Sequence, residues 1–178
     1  MAVKLLLYQH EVNTCPELKG EDAIHVTPLS TCSLSVTRGT LLHPRGEYIE
    51  VLKASGKHDT VLCGNTLAVN GLRVYISCLD YPSESYPSSI DAVLVYAPVW
   101  TARGDALREA RRLTYRLMAI SFLAGAPVVY VNRWGVSGER VYVGATGLYD
   151  YAASLPLSAG GYGDTILSIR LPRQRLDS

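Results

Sequence analysis

The chain has 178 residues, of which 48% are hydrophobic and 19% charged, and its formal net charge is +1. This excludes a disordered segment, which needs low hydrophobicity and high net charge, and provides enough apolar side chains for one domain core. The 17 basic and 16 acidic residues nearly cancel, which argues against a charge-driven nucleic-acid binder, and no run approaches the roughly 18 apolar residues of a membrane span.

Met1 to Gln9 carries one lysine and a short apolar run with no small-residue cleavage site after it, so it reads as a first strand and not as a signal peptide. Asp22 to Val26 is a second apolar run, stopped by Pro28. Thr40 to His43 and Glu47 to Leu52 flank Pro44-Arg45-Gly46, a predicted hairpin turn. Leu67 to Val69 and Leu72 to Ile76 flank Asn70-Gly71, the strongest short hairpin signal because both turn positions need positive φ. Ala92 to Val99 is continuously apolar, as in a strand covered on both faces. One long helix is predicted over 104–124. Ala106, Leu107, Ala110, Leu113, Leu117 and Ile120 form its apolar stripe, and Gly125 and Pro127 stop it. Val128 to Val131 is the next buried strand, Ser137-Gly138 a further turn leading to Arg140–Val143, and Thr165 to Leu171 the last strand. Residues 1–171 read as one α+β domain and 172–178 as a short basic tail.

Cys15, Cys32, Cys63 and Cys78 show no CxxC pair and no metal spacing, so the expectation is free thiols in a cytoplasmic protein. The Arg-rich side of the helix reads as solvated or as a subunit contact.

The segment Val74-Tyr75-Ile76-Ser77-Cys78-Leu79-Asp80-Tyr81-Pro82 places a cysteine at a strand end, where a nucleophile is held rigidly and the next backbone N–H, of Leu79, can face an oxyanion. It resembles the nucleophile motif of the carbon–nitrogen hydrolase (nitrilase/amidase) superfamily. The resemblance continues in order. Ile90 to Trp100 resembles the strand after the cysteine, and Val128 to Gly135 an apolar strand ending in Asn-Arg-x-Gly. Gly144-Ala145-Thr146 stands where the family has Gly-Gly-Ser, Leu148-Tyr149-Asp150 resembles a strand ending in Asp-Pro, and Lys4 to Gln9 resembles the first strand.

The resemblance implies a trimmed four-layer α-β-β-α sandwich with two mixed sheets, no metal and no cofactor, and a homo-oligomer, most simply a dimer. The implied chemistry is hydrolysis of an amide-type C–N bond through a Cys78 thioester. In the family a Glu is the base and a Lys holds the oxyanion. Cys78 and Lys53 are then the catalytic candidates, with Lys57 as the alternative lysine, the Leu79 N–H as oxyanion donor, and Asp80, Tyr81, Trp100 and Asn132 as pocket residues. The partner implied is a small amide or carbonyl compound, with no nucleic acid and no membrane.

The chain departs from the family pattern in ways that bear on activity. The strand ending in Thr27-Pro28-Leu29 has Leu29 where the family has its Glu. Glu17, in a literal Pro-Glu, and His58 are the weaker candidates for the base. An ordinary thiol is only a few per cent ionised at neutral pH, and general acid–base help is worth about 10²–10⁴-fold. Two readings therefore stand side by side: an amide hydrolase, and a catalytically inactive relative that serves as a binding or assembly subunit. Two helices of the family pattern have no counterpart before residue 40, which predicts a bare sheet face covered by a partner subunit.

Overall fold

In the computed structural model, residues 2–102, 104–153 and 155–173 are described. The first sheet contains β1 (Ala2–Gln9), β2 (Ile24–Val26), β3 (Thr40–Arg45), β4 (Tyr48–Lys53), β5 (His58–Leu62) and the last strand, β15 (Thr165–Pro172). Their order is β15-β1-β2-β3-β4-β5, with β1, β2 and β3 mutually parallel and the other pairs antiparallel. The second sheet contains β6 (Thr66–Val69), β7 (Leu72–Ser77), β8 (Ala92–Val95), β10 (Val128–Tyr130), β13 (Gly147–Tyr149) and β14 (Leu157–Ser158), in the order β14-β13-β10-β8-β7-β6. Here β7, β8 and β10 are parallel. A small third sheet joins β9 (Trp100–Ala102), β11 (Trp134–Ser137) and β12 (Arg140–Val143).

Strand alternation sends Leu5, Leu7, Ile24, Val26, Leu42, Ile49 and Val51 of the first sheet against Val74, Ile76, Ala92, Leu94, Tyr96 and Val129 of the second. These residues form one core, so the two sheets are stacked face to face. The single helix α1 (Ala106–Ala124) lies on the outer face of the second sheet. Its buried Leu113, Leu117 and Ile120 pack over Val93, Val95, Val128 and Tyr130. Gly125 ends it in the left-handed conformation at φ 62°, where a side chain is disfavoured.

Among the described residues α1 is the sole α-helix, so the layers are helix, sheet and sheet; the fourth layer expected from the resemblance is replaced by irregular chain. Connections 10–23 and 27–39 cover the outer face of the first sheet, with Leu18 packed on Leu6, Tyr8 and Ala23. This corrects the expectation that a partner subunit must cover that face. Loops carry unpaired backbone groups and need partners for them, and the sheet supplies these. Tyr8 Oη lies 2.8 Å from His25 Nδ1 and accepts the Lys19 N–H at 3.0 Å. His25 Nε2 faces the carbonyls of Glu21 and Arg38 at 3.0 and 3.1 Å, so this nitrogen carries the ring proton and Nδ1 accepts from Tyr8. The Arg45 guanidinium donates to the carbonyls of Ser30 and Cys32, each at 3.0 Å, and pairs with Glu50.

A disulfide between Cys15 and Cys32, with Cα atoms 5.9 Å apart, fastens these two connections to each other. A second disulfide joins Cys63 and Cys78, and no described cysteine is free. The expectation of free thiols is thereby corrected, and the cytoplasmic reading built on it loses that support. The pairs lie 17 and 15 residues apart in sequence and are brought together only by tertiary structure, so no short motif announces them.

Two further details refine the sequence expectations. Asn70 and Gly71 both have positive φ, 50° and 79°, as the hairpin demands. The first hairpin turn is Gly46-Glu47, since Pro44 and Arg45 still pair with Ile49 and Tyr48. Pro44 is tolerated in β3 because β2 ends opposite Leu42, so no strand stands on the side where its N–H would point. At the other end of the chain β1 pairs with β15 from Ala2↔Pro172 to Gln9↔Thr165, so Pro172 belongs to a strand, and positions 174–178 of the expected tail lie outside the described residues. No described helix is long and apolar enough to cross a membrane.

Candidate functional site

The parallel strands of both sheets end on the same side of the sandwich, the place where open α/β sheets present functional groups. Cys78 follows β7 there. Cys63 follows β5 of the other sheet and donates its backbone N–H to the Glu47 carbonyl at 3.0 Å. Tyr96 follows β8, and its hydroxyl lies within hydrogen-bond distance of both sulfurs, 2.6 Å from Cys63 Sγ, and 3.4 Å from the Gly46 carbonyl. Burial, and then the Glu47 carboxylate, push the Tyr96 hydroxyl up to about 12, so it stays a neutral donor in the physiological range. Cys63 and Cys78 are half-buried, and Leu62, Leu79 and Tyr81 stand exposed beside them in sequence.

The remaining candidates are dispersed. Lys53 closes β4 at the end remote from Tyr48. Five residue steps at about 3.4 Å place it roughly 17 Å along the strand from Tyr48, the neighbour of the Glu47 whose carbonyl meets Cys63. Lys53, together with Lys57, lines a separate surface groove with Leu34, Ser35 and Val36. His58 opens β5 at that same remote end, opposite Leu52, and sits 3.9 Å from Glu50. Glu17 lines a different cavity of about 350 Å³ with Tyr8, Gln9, His10, Cys15 and Asp164. Leu29, just past β2, offers hydrocarbon and no proton acceptor.

The Leu79 N–H is not free: it donates to Ser77 Oγ at 3.3 Å, while Ser77 Oγ donates to the Leu79 carbonyl at 2.9 Å. Asp80 turns to the helix, pairing with Arg116 at 2.6 Å in a cluster completed by Glu109. Trp100 lies on the third sheet under the Arg140 guanidinium, 4.3 Å from its ring centroid. Asn132 is buried with its amide groups committed. Its side chain donates to the Val99 carbonyl at 3.0 Å and accepts the Arg133 N–H, while its own N–H donates to Thr146 Oγ1 at 2.9 Å. Thr146 in turn donates its N–H to Gln9 Oε1 at 3.1 Å. The Gln, Asn-Arg and Gly-Ala-Thr segments of the resemblance thus form one buried network between β1, β10 and β13.

Sequence reasoning missed Cys63 and Tyr96. The signal available for Cys63 was positional: a second Gly-containing turn, at Gly56, leads through β5 to Cys63, which is the residue that meets Cys78. Tyr96 carried no signal beyond its place in an apolar run. Among the described residues neither sulfur is hydrogen-bonded to a carboxylate, imidazole or ammonium group, and no group of three or more His, Cys, Asp or Glu is placed to hold a metal ion.

No family model and no curated protein matches the sequence. Solved structures do match in fold. A carbon–nitrogen hydrolase from Helicobacter pylori G27 aligns with TM-score 0.69 at 11% identity, covering 98% of this chain and 91% of the other. An amidase from Nesterenkonia sp. AN1, solved with a covalent adduct of fluoroacetamide at its active-site cysteine, aligns with TM-score 0.65 at 14% identity over 96% and 90%. A CN-hydrolase superfamily protein from Xanthomonas campestris aligns with TM-score 0.61 at 13% identity over 97% and 91%. The chain has the fold of the carbon–nitrogen hydrolases.

Proposed function

We propose that this chain keeps the carbon–nitrogen hydrolase fold without amide-hydrolysing chemistry and serves as a binding or assembly subunit. One observation carries the reading: the sulfur of Cys78 is bonded to Cys63, with a tyrosine hydroxyl beside it and, among the described residues, no carboxylate or imidazole hydrogen-bonded to it. A disulfide sulfur has no lone thiolate to attack a carbonyl carbon. Reduction would restore the thiol but supply no base, and the missing general base removes about 10²–10⁴-fold by itself. An assembly role draws support from Leu107 and Tyr115, which α1 leaves 68% and 76% exposed.

The competing reading, hydrolysis of a small amide through a Cys78 thioester in the reduced protein, draws on the fold shared with the Nesterenkonia amidase. Ammonia release from a panel of small amides and nitriles, measured with and without a phosphine reductant, separates the two. The expected result is release no faster than from Cys78→Ala in either state. Release that appears on reduction and disappears in Cys78→Ala would overturn the proposal.

A further inference from the structure

The two disulfides stand in different mechanical settings. Cys15–Cys32 joins two irregular connections. Cys63–Cys78 joins two strand ends that are already held by backbone hydrogen bonds: Cys63 N–H to the Glu47 carbonyl at 3.0 Å, Gly64 N–H to the Ile76 carbonyl at 2.9 Å, and Ile76 N–H to the Asn65 carbonyl at 2.9 Å. Breaking this S–S bond leaves those ladders in place, so the bond can open and close without unfolding either sheet. Both cysteines are half-buried, and the Tyr96 hydroxyl reaches both sulfurs.

We propose that Cys63–Cys78 is a thiol–disulfide exchange site that reacts with low-molecular-weight thiols, and that Tyr96 serves it as a hydrogen-bond donor to the departing sulfur. The thiolate of an incoming thiol attacks one sulfur of the pair. The S–S bond breaks, its electron pair leaves with the other sulfur as a thiolate, and a mixed disulfide forms. A second thiolate attacks the incoming sulfur of that mixed disulfide and releases the second protein thiolate. The two protons of the two small thiols end on Cys63 and Cys78. The protein disulfide is thus reduced by two electrons while two thiols are oxidised to one small disulfide. The Tyr96 hydroxyl, kept protonated by its burial, donates to the sulfur that carries the charge, which favours thiolate over thiol. The inference concerns the sulfur pair alone and holds whether or not reduced Cys78 turns over an amide.

The test uses the full chain purified without reductant. It is exposed to glutathione, quenched with iodoacetamide and mapped by peptide mass spectrometry, with circular dichroism recorded in parallel. Expected are a glutathione adduct on Cys63 or Cys78, then two alkylated thiols at these positions, with the spectrum of the folded chain unchanged. The Tyr96→Phe variant should open about fivefold more slowly, the effect of one lost hydrogen bond, while exchange at Cys15–Cys32 in the same sample keeps its rate. Should that variant not fold, the wild-type pH profile serves instead: alkylation of the reduced pair should reach half its maximal rate below the ordinary thiol value of about 8.5. Alkylation of Cys63 and Cys78 before any thiol is added would overturn the proposal, as would a pair that resists glutathione until the protein is denatured. Opening of Tyr96→Phe at the wild-type rate, or an alkylation profile centred at or above the ordinary thiol value, would remove the role of Tyr96. None of these readouts depends on ammonia release.

Discussion

The two outer faces of the sandwich are covered in opposite ways. Over the second sheet lies α1, and the contact is hydrocarbon: Leu113, Leu117 and Ile120 against Val93, Val95 and Val128. Over the first sheet lie connections 10–23 and 27–39, and the sheet face beneath them carries Tyr8, His25, His43 and Arg45. The difference follows from where backbone hydrogen bonds go. A helix pairs its own N–H and C=O groups, so the sheet below it can be wholly apolar. A loop leaves such groups unpaired, and the sheet must answer with polar side chains aimed at them. A cover that lacks a ladder also needs a fastening, which the Cys15–Cys32 bond provides.

Truncating the helix-covered side should show the largest effect. Leu117 is fully buried, and Leu117→Ala should cost about 2–5 kcal/mol of unfolding free energy in denaturant titration. Reductant should leave the helix contact itself untouched. On the other side the fastening carries comparable weight. The Cys15→Ser/Cys32→Ser variant should lose about 3 kcal/mol, the value for a closed loop of roughly this length. Hydrogen exchange should locate that loss in 10–23 and 27–39, with α1 keeping its protection. Equal loss of protection in α1 would mean that the two covers unfold as one unit and that the contrast is only visual.

The helix-covered side was legible in the sequence and the loop-covered side was not, for a physical reason. Periodicity reports repeated burial, and α1, β7, β8 and β10 bury side chains at regular spacing. Connections 10–23 and 27–39 have no period, and their partners sit on strands far away in sequence. Strand β5 was missed on the same ground, since four of its five residues are exposed. It is the end of β5 that brings Cys63 to Cys78, while Lys53 closes β4 at the remote end.

The polar face also predicts a response to acid that the apolar face lacks. His43 is buried, with Thr27 Oγ1 2.6 Å from its Nδ1. Burial, and then the Arg45 guanidinium, lower it to about 4, against the opposing pull of Glu50. Burial also lowers His10. Folded His43 therefore stays neutral while the unfolded chain, near the ordinary 6.5, takes up its proton first. Stability from this group is complete above about pH 6.5 and is lost as pH falls toward 4, on the order of 3 kcal/mol in all. Denaturant midpoints measured across that window should fall with acid in the wild type and fall less in His43→Asn. A flat profile in the wild type would show that the imidazole is not desolvated.

The smallest expected effect compares one tyrosine hydroxyl from each face. Tyr130, under the helix, donates to the Ala97 carbonyl at 3.1 Å and makes a further backbone hydrogen bond at Val99. Tyr8, under the loops, joins His25 Nδ1 to the Lys19 N–H, so its hydroxyl serves as acceptor and donor together. Each hydroxyl thus serves two partners, and at about 1 kcal/mol for each lost bond Tyr130→Phe and Tyr8→Phe should cost about the same. What should differ is where the loss falls: in Tyr8→Phe hydrogen exchange should quicken at Lys19 and along 10–23, and in Tyr130→Phe that connection should keep its protection. Unchanged protection of 10–23 in Tyr8→Phe would mean that Leu18 alone keeps the connection on the sheet.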